Sequence, residues 1–423
     1  MKFTLTASAV TVLLTLCPST FVYADETIPG ASVQSLLQYA KESNPEFSSM
    51  RHEAQAAVER VVPAGALPDP KFRTELMDIT KMGEQNPTIW PGEVGSTRYT
   101  FMQDLPWLGK LDLRRDIAQH EADASQAKAQ GAWTELAAKI KVAQAQRYYL
   151  HGSEKLTREI FDLMVKLEHI SRSRYASGLA PQQDAIRAQI EQTTMRNELI
   201  ALESERAQVD VRLNTLLSRP AKAPLALPES PKAIPTPEQL ELSKLEERAR
   251  QHNPLVFAEH ARIQSAEKTR DLTYKNRYPD FTLSVTPVQY QNAIKEWSLM
   301  VELNIPLQQS SRRAMERESE AMLAAAQTRK QAVANQVLSD LAENLAGLEA
   351  ARRTRSLAVG SLLPQAELTF NSALAGYENN KVDFATLLDA QRQIRQARQN
   401  QIKAQLEAQM RLAEIEKLIG EDL

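Results

Sequence analysis

Two acids stand where helices start after tight turns. Asp389 lies two residues before the end of the stretch YENNKVDFATLLDAQ at 377–391, and Asp184 lies in YASGLAPQQDAIRAQ at 175–189. Tyrosine, turn and closing Ala-Gln coincide between the stretches at a separation of 202 positions, Tyr175 to Tyr377. Asp383 directly precedes an apolar helical run and is a natural N-cap, its carboxylate placed to accept the first free backbone N–H groups. Asp389 is more than a turn further on, beyond capping reach. By residue type it is a charge on a solvated helix face. Gly178 suits the left-handed conformation that ends a helix, Asn380 suits the same position in the second turn, and Pro181 suits the first turn of the return helix.

Other chemistry finds no support. No P-loop, no GxGxxG after a strand, no HExxH and no nucleophile elbow occurs, which argues against an enzyme. His52, His120, His151, His169, His252 and His260 lack metal-ligand spacing, and the methionines are scattered. No cofactor or resident metal is expected. With 51 basic and 53 acidic side chains, the chain has no nucleic-acid footprint.

The N-terminus reads MKFTLTASAVTVLLTLCPSTFVYAD. Its basic start, apolar run and Val22-Tyr23-Ala24 mark residues 1–24 as an export signal cleaved after Ala24. Cys17, the one cysteine, follows Leu16 and precedes Pro18, an arrangement that disfavours lipidation. Beyond the signal no run of 18 apolar residues occurs, so any membrane crossing must use β-strands.

The elements that position the two turns are themselves duplicated. Asn44-Pro45 recurs as Asn253-Pro254, and Ala40, Ala57, Pro70 and Phe72 recur at the same offset of 209. Asp104-Leu105-Pro106 matches Asn304-Ile305-Pro306 at an offset of 200. We read residues 25–218 as a first structural repeat, 219–237 as a Pro-rich linker and 238–423 as a second repeat. Each repeat predicts a helix (31–62, then 238–275), two extended runs, a very long helix, a turn and a return helix. Trp297, Leu299, Val301, Leu303 and Ile305 alternate with polar neighbours, as do Tyr99, Phe101 and Leu105, the period-two pattern of a strand with one apolar face. From Leu111 to Tyr175 no proline occurs, and these residues span roughly 100 Å as one helix. Val337, Leu338, Leu341, Leu345 and Leu348 form a narrow packing stripe.

The fold class is therefore mainly α with a small β part, built from long antiparallel helical hairpins. The strand pairs gather at one end and the two turns at the other. Four strands cannot close a barrel, and an open sheet edge is not tolerated in lipid. An oligomer that pools its strands meets both constraints.

In this arrangement the chain resembles the TolC-type outer-membrane efflux channels over essentially its whole mature length. The resemblance rests on both Asn-Pro pairs, LPDPKF at 67–72, QDLPWLGK at 103–110, LNTLLSRP at 213–220 and the two turn motifs. Pro68-Asp69-Pro70 looks most like the heavy-metal branch served by resistance-nodulation-division pumps. The resemblance implies a homotrimer in the outer-membrane lipid, with a 12-stranded β-barrel and a trimeric α-barrel tunnel in the periplasm. It also implies an inner-membrane pump and a periplasmic adaptor as partners. Drug efflux, or a non-channel periplasmic scaffold, is the alternative. The resemblance places Asp389 in the pore as a ring of acids and Asp184 in a latch to a basic residue of the other hairpin. Val382 occupies that basic position here, with Lys381 beside it as a substitute, and Thr386 replaces a second pore acid. Tyr175, Tyr377, Gly178, Asn380 and Pro181 are expected to build the turns.

Overall fold

The computed structural model describes residues 28–423, so the signal segment with its cleavage site and Cys17 lies outside the described residues. Three helices lead in: α1 (Val33–Ser43), α2 (Pro45–Glu59) and α3 (Val61–Gly65). Strands β1 (Lys71–Met77) and β2 (Ser96–Leu105) follow, then the hairpin of α4 (Lys110–Ala176) and α5 (Gln182–Leu216). After the linker come α6 (Leu242–His252), α7 (Pro254–Lys275), β3 (Phe281–Tyr290) and β4 (Ala293–Leu303). The chain ends with α8 (Gln309–Leu357), a π-turn (Ala358–Leu362), α9 (Leu363–Glu378) and α10 (Phe384–Ile419).

The chain is mainly helical with one small sheet, as the sequence predicts. α4 is unbroken over 67 residues, about 100 Å at 1.5 Å per residue. Three features depart from the sequence reading. The lead-in helix expected over 31–62 breaks at Asn44 and again at Arg60, and the one expected over 238–275 breaks at Asn253. The residue before a proline is pushed to extended backbone, and Asn44 and Asn253 sit at ψ 117° and 120°. The third departure is the π-turn, which interrupts the second long helix just before Pro364. A proline cannot supply the i to i−4 bond and crowds the preceding turn, so the backbone widens there.

The duplicated Asn-Pro has a structural cause. Asn44 caps α2 by accepting from Phe47 N at 2.9 Å and donates through Nδ2 to Leu216 O, also at 2.9 Å. Asn253 accepts from Leu255 N and Val256 N and donates to Leu418 O at 2.8 Å. Each buried amide therefore ties a lead-in helix to the last carbonyls of a return helix, satisfying groups that would otherwise be stranded. The linker is anchored nearby. Buried Glu416 accepts from Lys141 on α4 (2.5 Å), Lys232 in the linker (3.1 Å) and the backbone N–H of Leu423 (3.0 Å).

The four strands form one antiparallel sheet in the order β1-β2-β3-β4. Phe72 faces Phe101, Phe101 faces Val285 and Val285 faces Leu299, so these side chains share one apolar face. Arg73, Thr100, Thr286 and Ser298 share the opposite, polar face by the same registers. β4 is exposed along its whole length, with Trp297 at 70 %. β1 and β4 are the two open edges.

Sheet and helices are joined by a knot at the QDLPWLGK stretch. Asp280 accepts from Trp107 N and from Lys110 Nζ, both at 2.8 Å, and Lys110 also donates to Tyr278 O. The Trp107 ring stacks on Tyr278 and Phe281.

Candidate functional site

At the far end of the helices, α4–α5 and α9–α10 turn side by side. Both turns have the same backbone design. Gly178 is left-handed (φ 69°), with Leu179 N bonded to Arg174 O and Gly178 N to Tyr175 O. Asn380 is left-handed (φ 56°), with Lys381 N bonded to Gly376 O and Asn380 N to Tyr377 O. This pair of bonds is the Schellman closure, which satisfies two of the last helical carbonyls. Asn carries the left-handed conformation at a cost that glycine avoids. Pro181 sits just outside α5 as its N-cap, one position before the first turn where the sequence placed it, with extended backbone (ψ 151°). Asp383 caps α10, accepting from Thr386 N at 2.9 Å and Thr386 Oγ1 at 2.6 Å. Those bonds hold its pKa below the ordinary carboxylate value.

The tyrosines differ. Tyr175 is half exposed, whereas Tyr377 is buried and its hydroxyl donates to Asp184 Oδ2 at 3.3 Å. Arg174 lies over the Tyr377 ring, 4.9 Å from its centre, and donates to Glu378 O at 2.8 Å and to Asn380 Oδ1. Phe384 also packs against this ring, tilted, with centroids 5.3 Å apart. Asp184 is only 5 % exposed. Burial pushes its pKa up, and the Tyr377 bond and the charges of Arg187 and Arg174 offset part of that. Burial and the neighbouring Asp184 push the Tyr377 hydroxyl up to about 12. One phenol thus joins the two hairpins.

Lys381 is exposed and makes no ion pair among the described residues. The structure puts Tyr377, not Lys381, against Asp184. Val382 has its own place, since it packs so closely on Gly376 that a β-carbon there would lie 2.6 Å from it.

Asp389 is exposed, as a solvated acid should be, but it has company. Arg392 donates to it at 3.3 Å and also pairs with Glu191 of α5. One turn deeper Arg395 reaches Glu198 at 3.3 Å, and Gln399 donates to the same carboxylate at 3.1 Å. A ladder of α10 cations on α5 acids therefore runs inward from the tip. Sequence reading missed Arg174, Arg392 and Glu191. The signal for Arg392 was its i+3 spacing from Asp389, which fits ion pairing as well as a solvated face; nothing in the local sequence marked Arg174.

Among the described residues no group of three or more His, Cys, Asp or Glu side chains could hold a metal ion. None of the described helices is long and apolar enough to cross a membrane. A sheet with one continuous apolar face, set on a helix of about 100 Å whose far end carries a polar contact between two hairpins, defines a chain of the β-barrel membrane channel class with a long helical conduit. The chain belongs to the outer membrane efflux protein family, whose model matches residues 36–219 and 245–421. It is an efflux channel of the outer membrane, with its helices in the periplasm, and not an enzyme.

Among curated proteins it is similar to the cobalt-zinc-cadmium resistance protein CzcC of Cupriavidus metallidurans. The two are 24% identical over 388 residues, covering 89% of this chain and 87% of CzcC. Among solved structures, VceC from Vibrio cholerae superposes with a TM-score of 0.78 at 15% identity, covering 92% of this chain and 96% of its own. CusC superposes with a TM-score of 0.77 at 14% identity and covers 92% of each chain.

Proposed function

We propose that the protein is the outer-membrane exit duct of a tripartite efflux assembly, working as a homotrimer with a periplasmic adaptor and an inner-membrane resistance-nodulation-division pump. The observation that carries the oligomer is the sheet. Its apolar face suits lipid, yet β1 and β4 leave two unpaired edges, which lipid does not tolerate. Pairing β4 of one copy with β1 of the next removes both edges, and three copies pool their strands into one barrel of twelve. The helices need the same closure. α5 exposes Ile186, Ile190 and Ile200, and the run of α8, the π-turn and α9 exposes Leu357, Leu362 and Leu368. Such unlike apolar edges meet head to tail in a ring.

The division into 25–218, the linker 219–237 and 238–423 supplies one hairpin tip per repeat to the same entrance. There Asp184 and Tyr377 hold the hairpins together, and Asp389 faces the passing substrate as part of a ring. Gly178, Asn380, Pro181 and Asp383 shape the two turns, and Lys381 is left for contacts with the adaptor or a neighbouring copy. Transport through this component is passive.

The cargo we favour is heavy-metal cations, supported by the likeness to a cobalt-zinc-cadmium resistance protein and by Pro68-Asp69-Pro70. Deleting the gene and growing cells on cobalt, zinc, cadmium, copper and silver, beside a drug panel, tests this. Selective metal hypersensitivity is expected. Hypersensitivity confined to drugs makes it an organic-compound channel instead.

A further inference from the structure

The registers inside the sheet define how its two hairpins superimpose. Lys71 faces Met102 in the first, and Thr282 faces Glu302 in the second. Leu105-Pro106 recurs as Ile305-Pro306, so β2 maps onto β4 by adding 200, and Met102 falls on Glu302. The partner of Met102 must fall on the partner of Glu302. Lys71 therefore maps onto Thr282, an offset of 211, and Asp69 maps onto Asp280. This differs by two residues from the offset of 209 that aligns Phe72 with Phe281 by sequence alone.

Within one chain, β2 and β3 pair with Gln103 opposite Leu283 and Met102 opposite Ser284. We propose that β4 and the neighbouring copy's β1 repeat this pairing in the mapped register, an inference that rests on the oligomer reading above. Leu303 then lies opposite the neighbour's Phe72, Glu302 opposite its Arg73 and Leu299 opposite its Leu76. The Trp107–Asp280 bond repeats as well, with Asp69 of one copy accepting the backbone N–H of Leu307 in the next.

Chemistry agrees with the map. Leu303, Leu299, Phe72 and Leu76 all belong to the apolar face, and Glu302 and Arg73 to the polar one. The mapped register sets opposite charges across the seam, which stabilises a cross-strand pair. The two-residue alternative sets Glu302 against Glu75. A slip of one residue would put every side chain on the wrong face. In the isolated chain Asp69 is exposed and makes no hydrogen bond or ion pair among the described residues, and Leu307 is 80 % exposed. Ser310 stands where Lys110 stands in the first repeat, so the clamp between copies lacks the lysine that strengthens the clamp within a chain.

Disulfide trapping in outer membranes tests the seam, since the chain has one native cysteine, Cys17, far in sequence from the strands. A disulfide needs Cβ atoms about 4 Å apart, which directly opposed residues approach and diagonal ones do not. Glu302→Cys with Arg73→Cys should give covalent dimers and higher species on oxidation, while Glu302→Cys with Glu75→Cys stays monomeric. The reverse pattern overturns the register and leaves the oligomer standing. A charge swap is the second arm. Arg73→Glu should lower the temperature at which the oligomer dissociates, and adding Glu302→Arg should restore it; no restoration counts against the pair. If amine-directed cross-linking of the unaltered protein yields monomer alone, the oligomer reading itself fails.

Discussion

The Tyr377 hydroxyl meets Asp184 Oδ2 at 3.3 Å, joining two residues 193 positions apart and two separate helical hairpins. The bond lies in a packed setting, since the Arg174 guanidinium and the Phe384 ring both contact the Tyr377 ring. Its removal should loosen the tip without unfolding the hairpins, whose turns have their own Schellman closures. At 3.3 Å the contact is long for an O–H···O bond, so the ordinary contribution of about 0.5–1.5 kcal/mol applies. Tyr377→Phe should therefore raise the open-to-closed ratio of the entrance roughly 2- to 10-fold, since 1.4 kcal/mol is a factor of ten. Uptake of vancomycin by cells carrying Tyr377→Phe measures the leak. Wild-type sensitivity would show that the phenol is not a latch.

The same pair gives a pH dependence with a definite sign. Burial raises the Asp184 pKa in the packed tip, taken in the proposal as the closed one, above its solvated value. The contribution to closure is therefore fully present below the unperturbed carboxylate pKa, and it is lost as pH rises through the raised value. Acidifying from neutrality should stabilise the closed tip, and Asp184→Asn should flatten the response. Channel open probability between pH 7 and pH 4 is the readout, and a response unchanged in Asp184→Asn contradicts the assignment. Tyr377 remains a neutral donor over this range because its own titration is pushed up to about 12.

Asp389 does not act alone. With Glu191 and Arg392 it forms a cluster in which one cation serves two acids. Arg392→Gln leaves both acids uncompensated, so cation over anion permeability should rise roughly 2- to 5-fold at low salt, where exposed charges are least screened. Asp389→Asn should move selectivity the other way. Reversal potentials under a salt gradient report both, and identical values in the two variants would remove the cluster from the pore.

The buried amides of Asn44 and Asn253 carry a stability prediction. Asn253→Ala removes the α7 cap and leaves Leu418 O without its side-chain donor. Loss of the cap costs about 1 kcal/mol and stranding a buried carbonyl about 1–3 kcal/mol. Protease resistance of the helical conduit should fall in Asn253→Ala and in Asn44→Ala alike, with the sheet unaffected. Loss of resistance in only one of them would mean the two amides are not equivalent.

Much of the fold was legible because long-range architecture here is written in local signals. Absence of proline from 111 to 175 foretold α4, and period-two alternation foretold β4. The breaks at Asn44 and Asn253 were legible in principle, since a proline follows each. The π-turn was legible in principle too, since Pro364 follows it, but a proline inside a helical run also fits a kink or the first turn of a new helix, and the residue type does not choose between these. The tip was legible as backbone and illegible as a site. Gly178 and Asn380 announce their conformation by residue type, whereas Tyr377 and Tyr175 look alike and only one is buried. Which tyrosine meets an acid depends on how the hairpins cross, and that information is spread over both halves of the chain.

The central proposal is that Tyr377 and Asp184 hold the channel entrance shut between the two hairpins. Single-channel recording of the purified oligomer in planar bilayers, wild type beside Asp184→Ala with Tyr377→Phe, tests it most directly. Small, rarely open steps are predicted for the wild type, with larger and longer openings for the double variant. Equal conductance and open time in the two would contradict the latch, and no conductance in either would contradict the channel.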